Sequence, residues 1–530
     1  MKRRLFALAL ALLLAVSLPV SALAATWYLE NGDITIRATE NGQYVSQGDK
    51  HDVKDDDPTI SQNDSSTSTV RVIKVIAEED ATANVTLDGV NIDTSKTPPI
   101  GRDQAALRTE GDGDVNIELD GDNYLKSSFA SHAAGLNKGN SGTLTINDED
   151  NNGKLEAVGG HDGAGIGGGQ HSSASDITIT GGTITARGGS TGSAAGIGGG
   201  SWGSGNNITI SGGDVTAIGS IYASGIGGEL NGSNITISNG KVTAIGGDQG
   251  GAGIGGGLWY SGSDITISGG EVEATGGSFA AGIGGGSGGN GNDIEISGGK
   301  VTAKGGMSGA GIGGGCRGTG SDITISGDAQ VKVQGGTEHN EYNECNEGAG
   351  AGIGNGGKKG KNEAGKKVPV DGAEVEPDTS GLTENGRLEY YAPGADMDKD
   401  DPTKVIENRP ETKPETSGDH AQPGAPAPVY SVTDKDGNQI SYTAAREGGV
   451  LTIRVDAAYA RLTLTADETQ ALTAQGVEKV VFITTGATSA FRPADLTAYK
   501  DEAPFVLTHD GETVTFTAGE TDLASLLLQA

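Results

Sequence analysis

A chain of 530 residues with 93 glycines, 34% apolar and 4% aromatic side chains lacks the bulk for one large globular core, and its glycine has no collagen-like three-residue period. Its 37 basic and 70 acidic residues leave a net charge of −33, which repels nucleic acid and anionic lipid. Two cysteines cannot build a disulfide framework.

Residues 1–24 read as a secretory signal peptide: a basic start at Lys2, Arg3 and Arg4, an apolar run from Leu5 to Val20, and small residues at Ala22-Leu23-Ala24. The run is short for a membrane span. Removing it lowers the basic count to 34 against the same 70 acidic residues, a net of −36. The expectation is a secreted, extracellular chain with no membrane insertion, and an acidic surface that attracts cations such as Ca²⁺.

From residue 25 the chain repeats itself. Early strands are expected at Ile34–Ile36 and Val70–Val75, then at Val85-Thr86-Leu87, Val115-Asn116-Ile117 and Leu144-Thr145-Ile146, 30 and 29 residues apart. Gly-Ile-Gly follows with its Ile at 166, 197, 226, 254, 283, 312 and 353, at intervals of 31, 29, 28, 29, 29 and 41. Between these marks lie Asp-Ile-Thr-Ile and Val-Thr-Ala segments, apolar–polar–apolar and so half-buried strands. Gly-Gly pairs separate them, as tight corners require. Three strands per repeat make one triangular turn. Stacking aligns Ile177, Ile208, Ile235, Ile265, Ile294 and Ile323 in one ladder, Ile184, Val215, Val242, Val272 and Val301 in a second, and Ala164, Ala195, Ala252, Ala281 and Ala310 on the third side. The fold expected is all-β: a right-handed parallel β-helix of about ten turns of ~29 residues, with repeats clearest over 144–354 and a cap at 355–400.

Prolines from Pro402 to Pro428 mark a linker over 401–428. Residues 429–530 read as a small β-rich or α+β domain, with strands at Gly449–Val455, Arg461–Thr465, Val477–Thr484 and Thr513–Thr517, and a short helix at Asp467–Ala474.

The segments Asn84-Val85-Thr86-Leu87-Asp88-Gly89 and Asn116-Ile117-Glu118-Leu119-Asp120-Gly121, followed by the Gly-Ala-Gly-Ile-Gly-Gly-Gly repeats, resemble the carbohydrate-binding β-helix domains of clostridial and other gut Gram-positive secreted proteins. That resemblance spans residues 27–360. It implies a pectate-lyase-like helix, polysaccharide binding rather than cleavage, and bound calcium.

The position five after each repeat Ile holds His171, Trp202, Asn231, Trp259, Gly288 and Arg317. Two of the chain's three tryptophans share this column, on loop tips two turns apart. With Tyr260, Tyr222 and Arg317 they are the expected carbohydrate contacts; the alternative is that the rings fold back over glycine corners. Asp148, Asp150 and Asn152 begin like a calcium loop, but position twelve is Gly159, so only an oxygen-rich turn is expected, with Asp120 and Asp122 in a neighbouring turn. Asx residues preceding the first strand (Asn84, Asp114, Asp176, Asn207, Asn234, Asp264, Asp293, Asp322) either share cations or cap backbone amides. Cys316 and Cys345, one repeat apart, are a candidate disulfide. Seven scattered histidines suggest no zinc site, and no acid–base pair stands out, so no catalytic residue is expected. Two rivals remain to a non-catalytic binder. One is an adhesin-like stalk with 429–530 as its head, whose cell-wall association would be non-covalent because no sortase motif is present. The other is a polysaccharide lyase.

Overall fold

Short strands cornered by glycine cannot bury a face alone, and in the computed structural model, which describes residues 25–96, 104–338, 347–361, 367–408 and most of 431–528, they do so by stacking. The chain folds as two units, Met1–Thr412 and Lys413–Ala530. The first is a rod of three sheets with 11, 11 and 13 strands.

One repeat shows the construction. Gly205–Ile210 alternates inward and outward with Ile208 and Ile210 buried, Asp214–Ile218 buries Val215 and Ala217, and Ile226–Gly227 is wholly buried. Each strand pairs in parallel with its equivalent one turn on. The first sheet thus stacks Ile177, Ile208, Ile235, Ile265, Ile294 and Ile323. The second stacks Leu155, Ile184, Val215, Val242, Val272, Val301, Val331 and Leu388. Both ladders match the expected registers. The third does not: its core ladder is the Ile of Gly-Ile-Gly itself, from Ile166 to Ile353. The expected alanines are buried beside it but lie outside the central core. A third strand of two residues shows no alternation, so period-two reasoning could not find its inward side chain.

The stack is longer than ten turns. The first sheet begins at Thr26–Tyr28, and all 11 of its strands are parallel. At one strand spacing per turn the rod is about 50 Å long. Its ends are closed by antiparallel strands, which blunt edges open to further pairing. Ile34–Thr39, Gly42–Gln47 and Lys50–Lys54 form a meander at the start. At the far end the segment expected to be an irregular cap contains Arg387–Tyr391, which continues the second sheet in parallel. Lys404–Glu407 pairs antiparallel with it, so that part of the expected linker is a strand of the rod. Residues 409–430 lie outside those described, as do residues 1–24, where a signal peptide is expected.

The second unit packs a five-stranded sheet and a four-stranded sheet around one core. Its strands Val450–Arg454, Tyr459–Leu464, Lys479–Ile483 and Val514–Ala518 lie within a few residues of those expected. Four of the chain's seven phenylalanines, Phe482, Phe491, Phe505 and Phe516, are buried here, an ordinary globular core. The expected helix at Asp467–Ala474 falls partly outside the described residues. Among the described residues no helix is long and apolar enough to cross a membrane.

Candidate functional site

Because the third strand is only two residues long, most of that side of the rod is loop, and loop columns carry the side chains not consumed by the core. After each Ile-Gly pair the chain turns out and back over six residues. The tip is left-handed: φ is +59° at His171, +59° at Trp202, +71° at Trp259, +82° at Gly288 and +68° at Arg317. Tip amides donate along the stack, His171 N to Ser201 O (2.6 Å), Trp259 N to Ser287 O (2.7 Å), Gly288 N to Cys316 O (2.9 Å) and Arg317 N to Gly357 O (3.0 Å).

The column is broken once. Ile226 reaches the next first-sheet strand at Gly232, six residues on, where the other repeats take eight (Ile197 to Gly205, Ile254 to Gly262). Asn231 therefore does not reach a left-handed tip. In place of a backbone carbonyl, the Glu229 carboxylate accepts from Trp202 N and, at 3.0 Å, from Ser201 Oγ. A notch floored by Glu229, Leu230 and Asn231 separates the two tryptophans. Trp202 is 59% and Trp259 62% exposed, the two most exposed large apolar side chains described.

The two rings differ in support. A Cβ on Gly288 would fall 2.2 Å from Trp259 Cε3, so that ring lies across the glycine of the following turn. The ring-over-glycine alternative therefore describes how Trp259 is braced, while most of its surface stays open. Tyr222 and Tyr260 are half-buried, and their carbonyls accept from Leu258 N (2.8 Å) and Gly286 N (3.1 Å). Arg317 extends the ridge, but its guanidinium is held by Glu347, with Nε 2.8 Å from Oε1. It is thus an anchored side chain, still about half exposed.

The expected calcium set is brought together only in part. Glu118, not Asp120 or Asp122, joins Asp148 and Asp150, one oxygen of each lying within 4.8 Å of the others. Asp122 pairs with Lys154 at 2.9 Å, and Asp120 faces Asp88 across the register. Asp148 caps its own turn, its two oxygens each 3.1 Å from the amides of Asn152 and Gly153. Asn152 donates to Asp150 and accepts from Gly121 N. Burial, with the nearby Glu149, Asp148 and Asp150 carboxylates, raises the Glu118 pKa against the Glu149 amide it accepts. The crowding of charge suits a cation, but three carboxylates are fewer than the six to eight oxygens Ca²⁺ takes, so water would complete the shell.

The Asx column has a conformational cause. Asp176, Asn207, Asn234, Asp264, Asp293 and Asp322 sit at φ between +51° and +59°, where Asn and Asp are the favoured non-glycine residues. Asn207 donates to Asp176 (2.9 Å) and Asn234 to Asn207 (2.6 Å). In this ladder the side chains bond to one another; the expected amide cap is made by Asp114, whose Oδ1 accepts from Thr143 N at 2.7 Å. Asn84 and Asp114 are not in the ladder: Asn84 pairs with Asn116 and Asp114 with Thr82.

Cys316 is a buried thiol, and Cys345, its expected disulfide partner, lies outside the described residues. The Cys316 thiol faces Glu347 at 2.6 Å, and burial and that carboxylate raise its pKa far above the usual thiol range. Sequence reasoning also missed one cluster, His132 with His161 and Asp162. The two histidines are 29 residues apart, one repeat, and that spacing was the available signal.

A model of the beta helix repeat family matches residues 151–170, 177–201, 208–232, 235–258, 265–287 and 294–316. These segments fall on the stacked turns that carry the ridge. Residues 151–316 thus carry beta helix repeats, within a mostly parallel β-solenoid. Such repeats fit pectate-lyase-like and adhesin-like architectures alike. Comparison with curated proteins and with solved structures finds no match.

Proposed function

We propose that this β-helix is the binding body of a secreted, non-catalytic carbohydrate-binding protein of a Gram-positive bacterium, and that an extended polysaccharide lies along the ridge bearing Trp202 and Trp259. The observation that carries the reading is the exposure of these two rings, 59% and 62%, in one column of the rod, the highest among its described large apolar side chains. Exposed aromatic surface of this kind marks interaction sites. Two turns separate the rings, about 10 Å, the length of a disaccharide in an extended glycan. Between them Glu229 and Asn231 offer a carboxylate and an amide to hydroxyls. Calcium, if bound, would supply countercharge to Glu118, Asp148 and Asp150 and so stiffen the turn.

The test is retention of the purified chain on a panel of insoluble and acidic polysaccharides. Trp202→Ala and Trp259→Ala should each cut affinity about tenfold or more, the scale of a lost hot-spot aromatic, with the melting curve little changed. Retention by no polysaccharide would defeat the proposal. So would retention that survives both substitutions together. Release of unsaturated uronides absorbing in the ultraviolet would replace it with a lyase.

A further inference from the structure

Outside the tryptophan column, one cluster combines residue types that select a different class of ligand. His132 ends the short turn Phe129–Ser131 in a left-handed conformation at φ +53°. His161 and Asp162 stand in the equivalent loop one coil later. Backbone bonds of the stack fix all three: His161 N donates to Phe129 O (3.2 Å), Gln170 N to His132 O (2.9 Å) and Ser201 N to Asp162 O (2.8 Å).

The Asp162 side chain is 9% exposed, whereas the two imidazoles are 30% and 32% exposed. Asp162 Oδ2 lies 2.6 Å from His132 Nδ1 and accepts from Gln170 Nε2 at 2.8 Å. His161 Nδ1 lies 2.9 Å from Asp162 Oδ1, yet this buried nitrogen makes no hydrogen bond. The pair has the distance of a contact without the alignment of one. Phe129 stacks edge-on against His161 at 4.8 Å and walls that side. One ligand atom from each of His132, His161 and Asp162 lies within 4.8 Å of the other two.

We infer that His132, His161 and Asp162 form a binding site for a transition-metal dication of the zinc class. Two imidazoles and one carboxylate favour Zn²⁺, Cu²⁺, Ni²⁺ or Co²⁺ over Ca²⁺ and Mg²⁺, which take oxygen shells. Donors about 2.1 Å from a common ion lie roughly 3.4 Å apart in tetrahedral geometry, so rotation of half-exposed rings closes the set. A buried carboxylate also needs a positive partner, and the ion supplies it. Gln170, bonded to the Asp162 carboxylate, is the orienting neighbour such sites use. Three protein ligands leave one position open to water or to a donor atom of a bound molecule, on the same ridge as Trp202 and one residue's reach from it through Ser201. The inference stands independently of the carbohydrate reading.

The experiment is calorimetric titration of the full chain, stripped by chelator and carrying no added polyhistidine, with Zn²⁺ alone. The cobalt(II) visible spectrum supplies a second readout. One Zn²⁺ per chain is expected, with no competition from a thousandfold excess of Ca²⁺. His132→Ala and His161→Ala, at part-exposed positions, should weaken binding at least a hundredfold, and Gln170→Ala about tenfold. His171→Ala, one turn-loop away, should leave it unchanged. Absence of Zn²⁺ binding would overturn the inference. So would binding that His132→Ala and His161→Ala leave intact. Should Asp162→Asn fail to fold, the two histidine variants still decide the matter.

Discussion

Replacing Gly255 by Ala tests whether stacking geometry or local backbone preference enforces the repeat. Gly255 has φ +129°, and a Cβ there would lie 2.1 Å from the Gly284 carbonyl oxygen of the next turn. That oxygen accepts from Gly256 N at 3.0 Å, so it cannot retreat without breaking the ladder. The strained φ costs about 1–3 kcal/mol for a non-glycine residue, and an unmade buried backbone bond about 1–3 kcal/mol more. The expected loss is about 2–6 kcal/mol. Gly121 is the control: its φ is +62°, but the nearest atom to a Cβ is Asp88 Oδ1 at 3.5 Å, an ordinary contact. Gly121→Ala should cost only the left-handed penalty of about 1–2 kcal/mol. All three tryptophans, at 27, 202 and 259, belong to the rod, so tryptophan fluorescence during urea unfolding reports that unit alone. With a slope of about 3 kcal/mol per molar, the Gly255 variant should lose roughly a molar or more in midpoint, and the Gly121 variant about half a molar. Equal shifts for the two would refute the argument that the neighbouring turn excludes a side chain.

Millimolar Ca²⁺ should raise the melting temperature of the rod by a few degrees and chelation should lower it. Glu118→Gln with Asp150→Asn should blunt that shift, whereas Asp122→Asn should not; superimposed curves in calcium and chelator would leave the carboxylates as turn caps only. In the second unit His509 is fully buried between Thr484 Oγ1 (3.0 Å) and Ser489 Oγ (2.9 Å), and burial lowers its pKa below the usual 6.5. The unfolded chain therefore binds the proton first: this unit should keep its stability above about pH 6.5 and lose it below, by at most about 1.4 kcal/mol per pH unit. His509→Gln should flatten that slope in circular-dichroism melts, and an unchanged slope would assign the acid sensitivity to carboxylates.

Two of the three core ladders are legible because their strands are long enough to alternate: Ile208-Thr209-Ile210 and Val215-Thr216-Ala217 each show an inward, an outward and an inward side chain. Ile226-Gly227 shows nothing of the kind. By sequence alone such an Ile reads as a corner mark, and the alanine two residues earlier takes its place in the core. The notch beside Trp202 is legible in principle, since Ile208 to Ile235 spans 27 residues and Ile235 to Ile265 spans 30. Marking repeats only by Gly-Ile-Gly hides it, because the neighbouring loop compensates. The calcium grouping fails for a register reason. Glu118 pairs with Asn147 and so comes beside Asp148, whereas Asp122 pairs with Lys154 and Asp120 with Asp88. Histidines that look scattered along the chain become neighbours once each is placed by its turn.

The rod carries several left-handed columns, and the contrast between two of them bears on where function sits. At φ +51° to +59° the column from Asp176 to Asp322 holds only Asn and Asp, as backbone preference alone would choose. The tip column, at φ +59° to +82°, holds His171, Trp202, Trp259, Gly288 and Arg317. For a bulky side chain that conformation costs about 1–2 kcal/mol, and glycine or asparagine would relieve it. Nor does the core repay the strain, because both indoles stand more than half exposed. The backbone therefore explains the first column and not the second. Strain retained at exposed, chemically capable side chains points to selection by something outside the fold, and on this rod His171, Trp202, Trp259 and Arg317 concentrate it in one loop column, with Glu229 bonded to Trp202 from the next turn.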